Sequence, residues 1–183
     1  MRPLLKKLER RNQLVDNRTV NIWIIRHAKS SWADPHQTDF ERPLNHRGER
    51  DGLTMQRWLS EQDAPADWIW TSDATRALAT SSFIEKAFWQ VKPQIVADHR
   101  LYHADPDANL SILKETPEDA RSVALVAHNP GLTHLVNLLG ATEVTDNLPT
   151  FGVARFSYAG QWADLEFGQA TLDYLVSPKR LNR

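Results

Sequence analysis

At 183 residues, with 41% hydrophobic and 25% charged residues, the chain has the size and composition of one soluble domain with a sizeable core. A formal net charge of −1 gives no global pull toward nucleic acid or an anionic membrane, and no apolar stretch approaches the ~20 residues of a membrane span. The absence of cysteine excludes disulfides, thiolate zinc sites and thiol catalysis, and fits a reducing cytoplasm.

Residues 1–19 hold Arg2, Lys6, Lys7, Arg10, Arg11 and Arg18 against Glu9 and Asp16. They read as a basic N-terminal extension, with Leu4, Leu5 and Leu8 on one side of a short surface helix and without the apolar stretch of a signal peptide. The domain proper is expected over 20–183. Its first strand is the apolar run Val20–Ile25, followed directly by Arg26-His27-Ala28-Lys29-Ser30-Ser31-Trp32. A polar loop punctuated by Pro35, Pro43 and Gly48 leads to a helix over about 47–61, with Leu53, Trp58 and Leu59 on its apolar side. Asp67–Thr71 is the next strand. Ser72 or Asp73 can cap the helix that follows, which runs to about Trp89 with Ala77, Ile84, Ala87 and Phe88 as its buried stripe.

Gln94–Ala97 is a short strand, and Pro106 opens a helix to about Glu115. Ser122–Ala127 is a second buried strand, followed by a helix over Gly131–Leu139 whose Leu132, Leu135, Val136 and Leu139 fall on one face before Gly140 stops it. Phe151–Tyr158 and Trp162–Phe167 read as two β runs joined by Ala159-Gly160-Gln161. Alternating strands and helices predict an α/β domain of three layers, α/β/α, with a mainly parallel sheet and a C-terminal antiparallel hairpin. Trp23, Trp68, Trp70 and Trp89 are expected in the core, and Trp32 in the core or the wall of a pocket.

Parallel strands present their C-terminal ends on one edge, where open α/β sheets bind ligands. Here those ends carry Arg26-His27, Thr71-Ser72-Asp73 with Arg76 in the next helical turn, and His128-Asn129-Pro130-Gly131; the first loop adds Arg42. Several guanidiniums and two imidazoles converging on one pocket suit a dianionic phosphate, because Arg supplies both charge and bidentate geometry and a neutral imidazole can attack phosphorus. His36, His46, His99, His103 and His134 read as structural or solvated.

The segments Arg26–Trp32, Arg42-Pro-Leu-Asn-His-Arg-Gly48, Thr71-Ser-Asp-Ala-Thr-Arg76-Ala-Leu-Ala-Thr80 and Val126-Ala-His128-Asn-Pro-Gly-Leu132, in this order, resemble the histidine phosphatase superfamily, within it most of all the SixA-type phosphohistidine phosphatases. The resemblance spans about residues 20–176 and implies a phosphoglycerate mutase-like fold. It implies that His27 is the nucleophile and forms a covalent phosphohistidine. Arg26 and Arg76 would grip the phosphoryl oxygens, Arg42 would be a further phosphate contact, His128 would hydrogen-bond the transferring group, and no metal or cofactor would be needed. Ala28 stands where many relatives have Gly, and Lys29 and Ala33 stand where mutase-like relatives carry Glu and Asn, which speaks against a mutase.

Relatives acting on alcohol phosphates place a carboxylic acid after the third strand. Here that region offers only the displaced Asp98 and Asp105 as general-acid candidates, with Arg100 nearest the expected position. An alkoxide needs a proton in order to leave, whereas imidazole, with a pKa of about 6.5, leaves with less help. The expected substrate is therefore a phosphorylated one of the phosphohistidine type, such as a protein of a phosphorelay. The competing readings are a sugar or nucleotide phosphatase and a phosphate-binding interaction module without turnover.

Overall fold

The computed structural model describes residues 18–182. The basic extension therefore lies outside the described residues except for Arg18 and Thr19, and Thr19 already belongs to the first strand. Six strands form one sheet: β1 (Thr19–Arg26), β2 (Trp68–Thr71), β3 (Gln94–Ala97), β4 (Ser122–Ala127), β5 (Val153–Ala159) and β6 (Thr171–Val176), in the order β3-β2-β4-β1-β5-β6. The first four run parallel, while β5 is antiparallel to β1 and β6 to β5. The helices are α1 (His46–Ser60), α2 (Thr75–Ala87), α3 (Pro106–Lys114), α4 (Gly131–Leu139) and the short α5 (Pro178–Leu181).

The period-2 alternation of a strand explains the three layers. Along β1, Ile22 and Ile24 point to one face and pack with Leu110, Leu113, Leu132, Leu135 and Val136 of α3 and α4. Trp23 and Ile25 point to the other face and pack with Met55, Leu59, Ala77 and Ile84 of α1 and α2. The strand β4 is buried at every position, as a central parallel strand must be. Asp105 caps α3 by accepting from Ala108 N at 2.8 Å, with Pro106 in the first turn.

Several details depart from the sequence reading. Leu53 of α1 is 64% exposed, because the buried stripe runs through Gly52, Met55 and Leu59 instead. Trp89 lies beyond α2 and is 66% exposed rather than in the core, and Trp68 is only partly buried. The cap position of α2 is Ala74, not Ser72 or Asp73. The hairpin exists, but its second strand is β6, and Trp162–Asp164 forms a single 3-10 turn. Trp162 and Leu165 are both fully buried, a spacing of three that such a turn satisfies, and Trp162 Nε1 donates to Ala120 O at 3.0 Å.

Candidate active site

Strand register builds the site. Arg26 of β1 pairs with Ala127 of β4, and Thr71 of β2 pairs with Val126. The next residues, His27 and His128, are level with each other, and Ser72 lies one residue behind them, opposite Ala127, so all three gather at adjacent strand ends. His27 N donates to Ala127 O at 3.1 Å and Ser72 N to Val126 O at 2.9 Å, so these ends are tied together by backbone. The His27 and His128 rings lie 4.9 Å apart, centroid to centroid.

The two ring nitrogens of His27 have different partners. Nδ1 lies 2.7 Å from Ala28 O, and a carbonyl can only accept, so Nδ1 carries the proton. Nε2 accepts from Arg76 Nε at 3.3 Å and is therefore the nitrogen with the lone pair. Burial, reinforced by the charges of Arg76, Arg26 and Arg42, pulls the His27 pKa down to about 4 against the opposing pull of the Ala28 carbonyl. His27 is neutral at physiological pH, as a nucleophile must be. Burial, with the charges of His27, Arg76 and His103, also holds His128 well below the ordinary imidazole value. His128 Nε2 lies 2.9 Å from Ser72 Oγ, which accepts from Ala74 N at 3.3 Å. His128 Nδ1 is buried and has no partner among the described residues.

The loop after β1 is clamped onto the start of α1. Ser30 and Leu44 form an antiparallel bridge, Asn45 N donates to Lys29 O at 3.0 Å, and Asn45 Oδ1 caps α1 at Gly48 N. A Cβ on Gly48 would sit 2.2 Å from Lys29 O, so only glycine permits this approach. Thr80 of α2 holds the loop from the opposite side: its Oγ1 accepts from Ala28 N at 2.9 Å and donates to Arg76 O at 2.7 Å.

The arginines surround one carboxylate. Arg76, 3% exposed, gives Nη2 to Asp39 Oδ2 at 2.9 Å and Nη1 to Asp39 O at 2.5 Å. Arg42 gives Nη1 to Asp39 Oδ1 at 2.6 Å, Nε to Ser31 O at 2.8 Å and Nη2 to Ser30 Oγ, and stacks at 3.3 Å on Trp32, which is 74% exposed and roofs Arg42 from outside. Among the described residues Arg26 takes no carboxylate; its Nη1 donates to Leu148 O at 2.8 Å and Asn147 Oδ1 at 3.3 Å. Three guanidiniums against one carboxylate leave an excess of two positive charges, the condition for an anion site.

Arg26, His27, Arg76 and His128 thus come together. Arg42 reaches the group through Asp39, with its donors already engaged. Asp98 and Asp105 do not join it. The Asp98 carboxylate is held by Arg100, at 2.7 Å from Nη2, and Arg100 also pairs with Glu115; hydrogen bonds from Arg100 hold Asp98 below its ordinary value. Asp105 is spent on capping α3.

Asp39 and Tyr102 were not singled out from the sequence, and His103 reads there as a structural or solvated histidine. Tyr102 OH donates to Asp39 Oδ2 at 2.8 Å, and His103 Nε2 lies 3.3 Å from the same oxygen. Burial works to raise the Asp39 carboxyl, but the hydrogen bonds from Tyr102, Arg76 and Arg42 and the charge of Arg76 outweigh it and keep Asp39 ionised. The spacing of three between Asp39 and Arg42 is a signal in the sequence that could have found Asp39. No group of three or more His, Asp or Glu side chains among the described residues is arranged to hold a metal ion.

Comparison with known proteins agrees with this geometry. The sequence profile of the histidine phosphatase superfamily (branch 1) matches residues 22–105. An uncharacterized protein of Mycobacterium tuberculosis is 30% identical over 157 residues, covering 81% of this chain and 96% of the relative. Among solved structures, a proposed phosphohistidine phosphatase SixA from Agrobacterium tumefaciens superposes with a TM-score of 0.76 at 24% identity, over 87% of this chain and 98% of that one. The protein histidine phosphatase SixA complexed with tungstate gives 0.73 at 22% identity, over 88% and 99%. The sheet, the group of strand-end residues and these matches lead to one conclusion: the chain belongs to the histidine phosphatase superfamily, branch 1, and is a phosphatase.

Proposed function

We propose that this phosphatase works through a covalent phosphohistidine on His27 and that its substrate is a phosphohistidine-bearing protein. One observation carries the mechanism: His27 is held in a single tautomer, with Nδ1–H on Ala28 O and the Nε2 lone pair beside Arg76 Nε. A phosphoryl group would replace Asp39 on Arg76, take the outer donors of Arg26 and bond the unpartnered His128 Nδ1, which carries the proton in the tautomer whose Nε2 accepts from Ser72 Oγ. Nε2 of His27 attacks phosphorus in line with the leaving group, and water then releases phosphate from the enzyme. Arg42 acts mainly by holding Ser30 and Asp39 in place.

The carboxylates support the substrate class. Asp98 is bound to Arg100, Asp105 caps a helix, and Asp39 is kept ionised by its donors. None is set up to hand a proton to an alkoxide, so a leaving group of low basicity such as imidazole fits best. The structural likeness to SixA, a protein histidine phosphatase, favours the same class.

The test compares a phosphohistidine peptide, p-nitrophenyl phosphate and sugar phosphates, with His27→Ala as control. Turnover of the peptide above the sugar phosphates, loss of activity in His27→Ala and acid-labile label trapped on His27 are expected. Equal hydrolysis by wild type and His27→Ala would remove the nucleophile; faster turnover of sugar phosphates would replace the substrate.

A further inference from the structure

The mouth of the pocket holds an imidazole for which the reaction above has no use. The side chain of His103 is 57% exposed, in contrast to the buried His27 and His128. Its ring lies 5.8 Å from His128 and 4.1 Å from Tyr102, and its Nε2 is 3.3 Å from Asp39 Oδ2. Asp39 is in turn the carboxylate on Arg76. His103 is thus one side chain removed from the guanidinium that grips phosphate.

The backbone is forced to put it there. His103 has φ of 54°, a left-handed conformation uncommon outside glycine. The next residue, Ala104, is pressed against the start of α4, so closely that a Cβ on Gly131 would lie 1.9 Å from Ala104 O. The Asn109 amide donates to Asp105 O at 2.8 Å and to Ala104 O at 3.4 Å. A strained residue fixed on both sides at a pocket mouth calls for a functional reason.

Its chemistry follows from its partner. Asp39 Oδ2 stands beside Nε2 as the ion-pair partner of the charged ring, and Nδ1 is then the nitrogen left to donate a proton. The groups facing the ring are Asp39 from the first loop, Tyr102 beside it, His128 after β4, and Arg76 of α2 behind Asp39. A rim position is wrong for protonating the bridging oxygen of an ester, which lies against the phosphorus. It is right for a phosphohistidine, because the nitrogen bonded to phosphorus has its lone pair in the ring and the basic atom is the other ring nitrogen, farther out.

We infer that His103 is a further catalytic residue, a rim general acid held by Asp39 that protonates the remote ring nitrogen of a phosphohistidine substrate. The inference rests on the phosphohistidine reading above. In the first step the bond from His27 Nε2 to phosphorus forms while the bond from phosphorus to the substrate nitrogen breaks. That electron pair returns to the substrate ring, which takes the His103 Nδ1 proton and departs as neutral imidazole. In the second step water attacks phosphorus and the bond to His27 breaks. The water proton restores the charged His103, and phosphate leaves.

The test is kcat/KM, which ends at departure of the leaving group, for a phosphohistidine peptide and for p-nitrophenyl phosphate. The variant is His103→Asn, since Asn tolerates the left-handed backbone. His103→Asn is expected to lose about 10²-fold on the peptide and at least about tenfold less than that on p-nitrophenyl phosphate, whose leaving group needs no proton. The second substrate also reports that the variant is folded. Equal losses on both substrates, or none on the peptide, would overturn the inference while leaving the phosphohistidine reading intact. A wild type inert toward the peptide but active on p-nitrophenyl phosphate would overturn both.

Discussion

Arg76 joins His27, the proposed nucleophile, to Asp39: its Nε is 3.3 Å from His27 Nε2, and its Nη2 is 2.9 Å from Asp39 Oδ2. One guanidinium therefore orients the attacking nitrogen and presents a positive edge that a carboxylate occupies at rest. Arg76→Ala should lower kcat/KM by about 10²–10³-fold, the range for removing one preorganised donor at a developing charge. Arg76→Lys should recover little of it, because an ammonium lacks the planar fork that sets Nε beside His27 and Nη2 on the anion side. Steady-state kinetics with p-nitrophenyl phosphate measures both.

Asp39 competes with the substrate for Arg76, and its removal should separate binding from turnover. Asp39→Asn keeps the shape but removes the carboxylate that, among the described residues, pairs with both Arg76 and Arg42. Phosphate and tungstate should then inhibit more strongly, because the pocket gains a full positive charge. The kcat should fall, because Arg76 and His103 lose the group that orients them. Inhibition constants measured beside kcat decide this; weaker inhibition by the oxyanions would show that Asp39 shapes the site without competing for it.

The low pKa of His27 has a consequence for stability. The folded-state value, about 4, lies below the ordinary 6.5, so the unfolded chain takes up this proton first as pH falls. Stability supplied by neutral His27 is complete above about pH 6.5 and is lost as pH falls toward 4, on the order of 3 kcal/mol in total. Denaturant titrations at pH 7 and pH 5 should show a smaller loss of stability on acidification for His27→Gln than for wild type. Identical losses in the two proteins would mean that His27 is not the group being protonated.

Much of this site is legible in the sequence because it is built on regular elements. Arg26-His27 and His128 follow apolar strands, Arg76 opens a helix, and a parallel sheet brings such ends together without further information. Asp39, Tyr102 and His103 lie on connections with no periodicity. Their meeting depends on how the segment from Trp32 to Leu44 folds back over α2, where Thr75 N donates to Phe40 O at 3.1 Å. The misplaced hairpin strand has a related cause. Trp162-Ala-Asp-Leu-Glu-Phe167 carries apolar residues at spacings that suit either a strand or a tight turn, and only the site waiting for Trp162 beneath Ala120 decides between them. Asp98 and Asp105 had the right chemistry as acids, but their neighbours Arg100 and Ala108 claim them.

Thr80 ties the loop after β1 to α2. It is fully buried and serves Ala28 N and Arg76 O together. Thr80→Val keeps the volume and leaves the Ala28 N–H buried without a partner, which should cost about 1–3 kcal/mol of stability. Thr80→Ser keeps the hydroxyl and should lose less. Thermal or denaturant unfolding of the pair distinguishes a lost hydrogen bond from lost packing, since Thr80→Ser removes only a methyl group.

Gly48 affords the sharpest separation of catalysis from stability. It is far from His27 in sequence and belongs to α1, yet its Cα faces the Lys29 carbonyl, and an added methyl would sit 2.2 Å from that oxygen. The obstacle is backbone and cannot rotate away, so Gly48→Ala must push residue 29 aside. Ala28, the neighbour that moves with it, supplies the carbonyl holding His27 Nδ1 at 2.7 Å. A displacement there misdirects the Nε2 lone pair, and a misplacement on the order of 1 Å can cost about 10²-fold in rate. Gly48→Ala is therefore expected to lower kcat by that order while leaving KM for p-nitrophenyl phosphate largely unchanged, because Arg26 and Arg76 are carried by β1 and α2. A matching fall in affinity for tungstate would show instead that the whole pocket had collapsed.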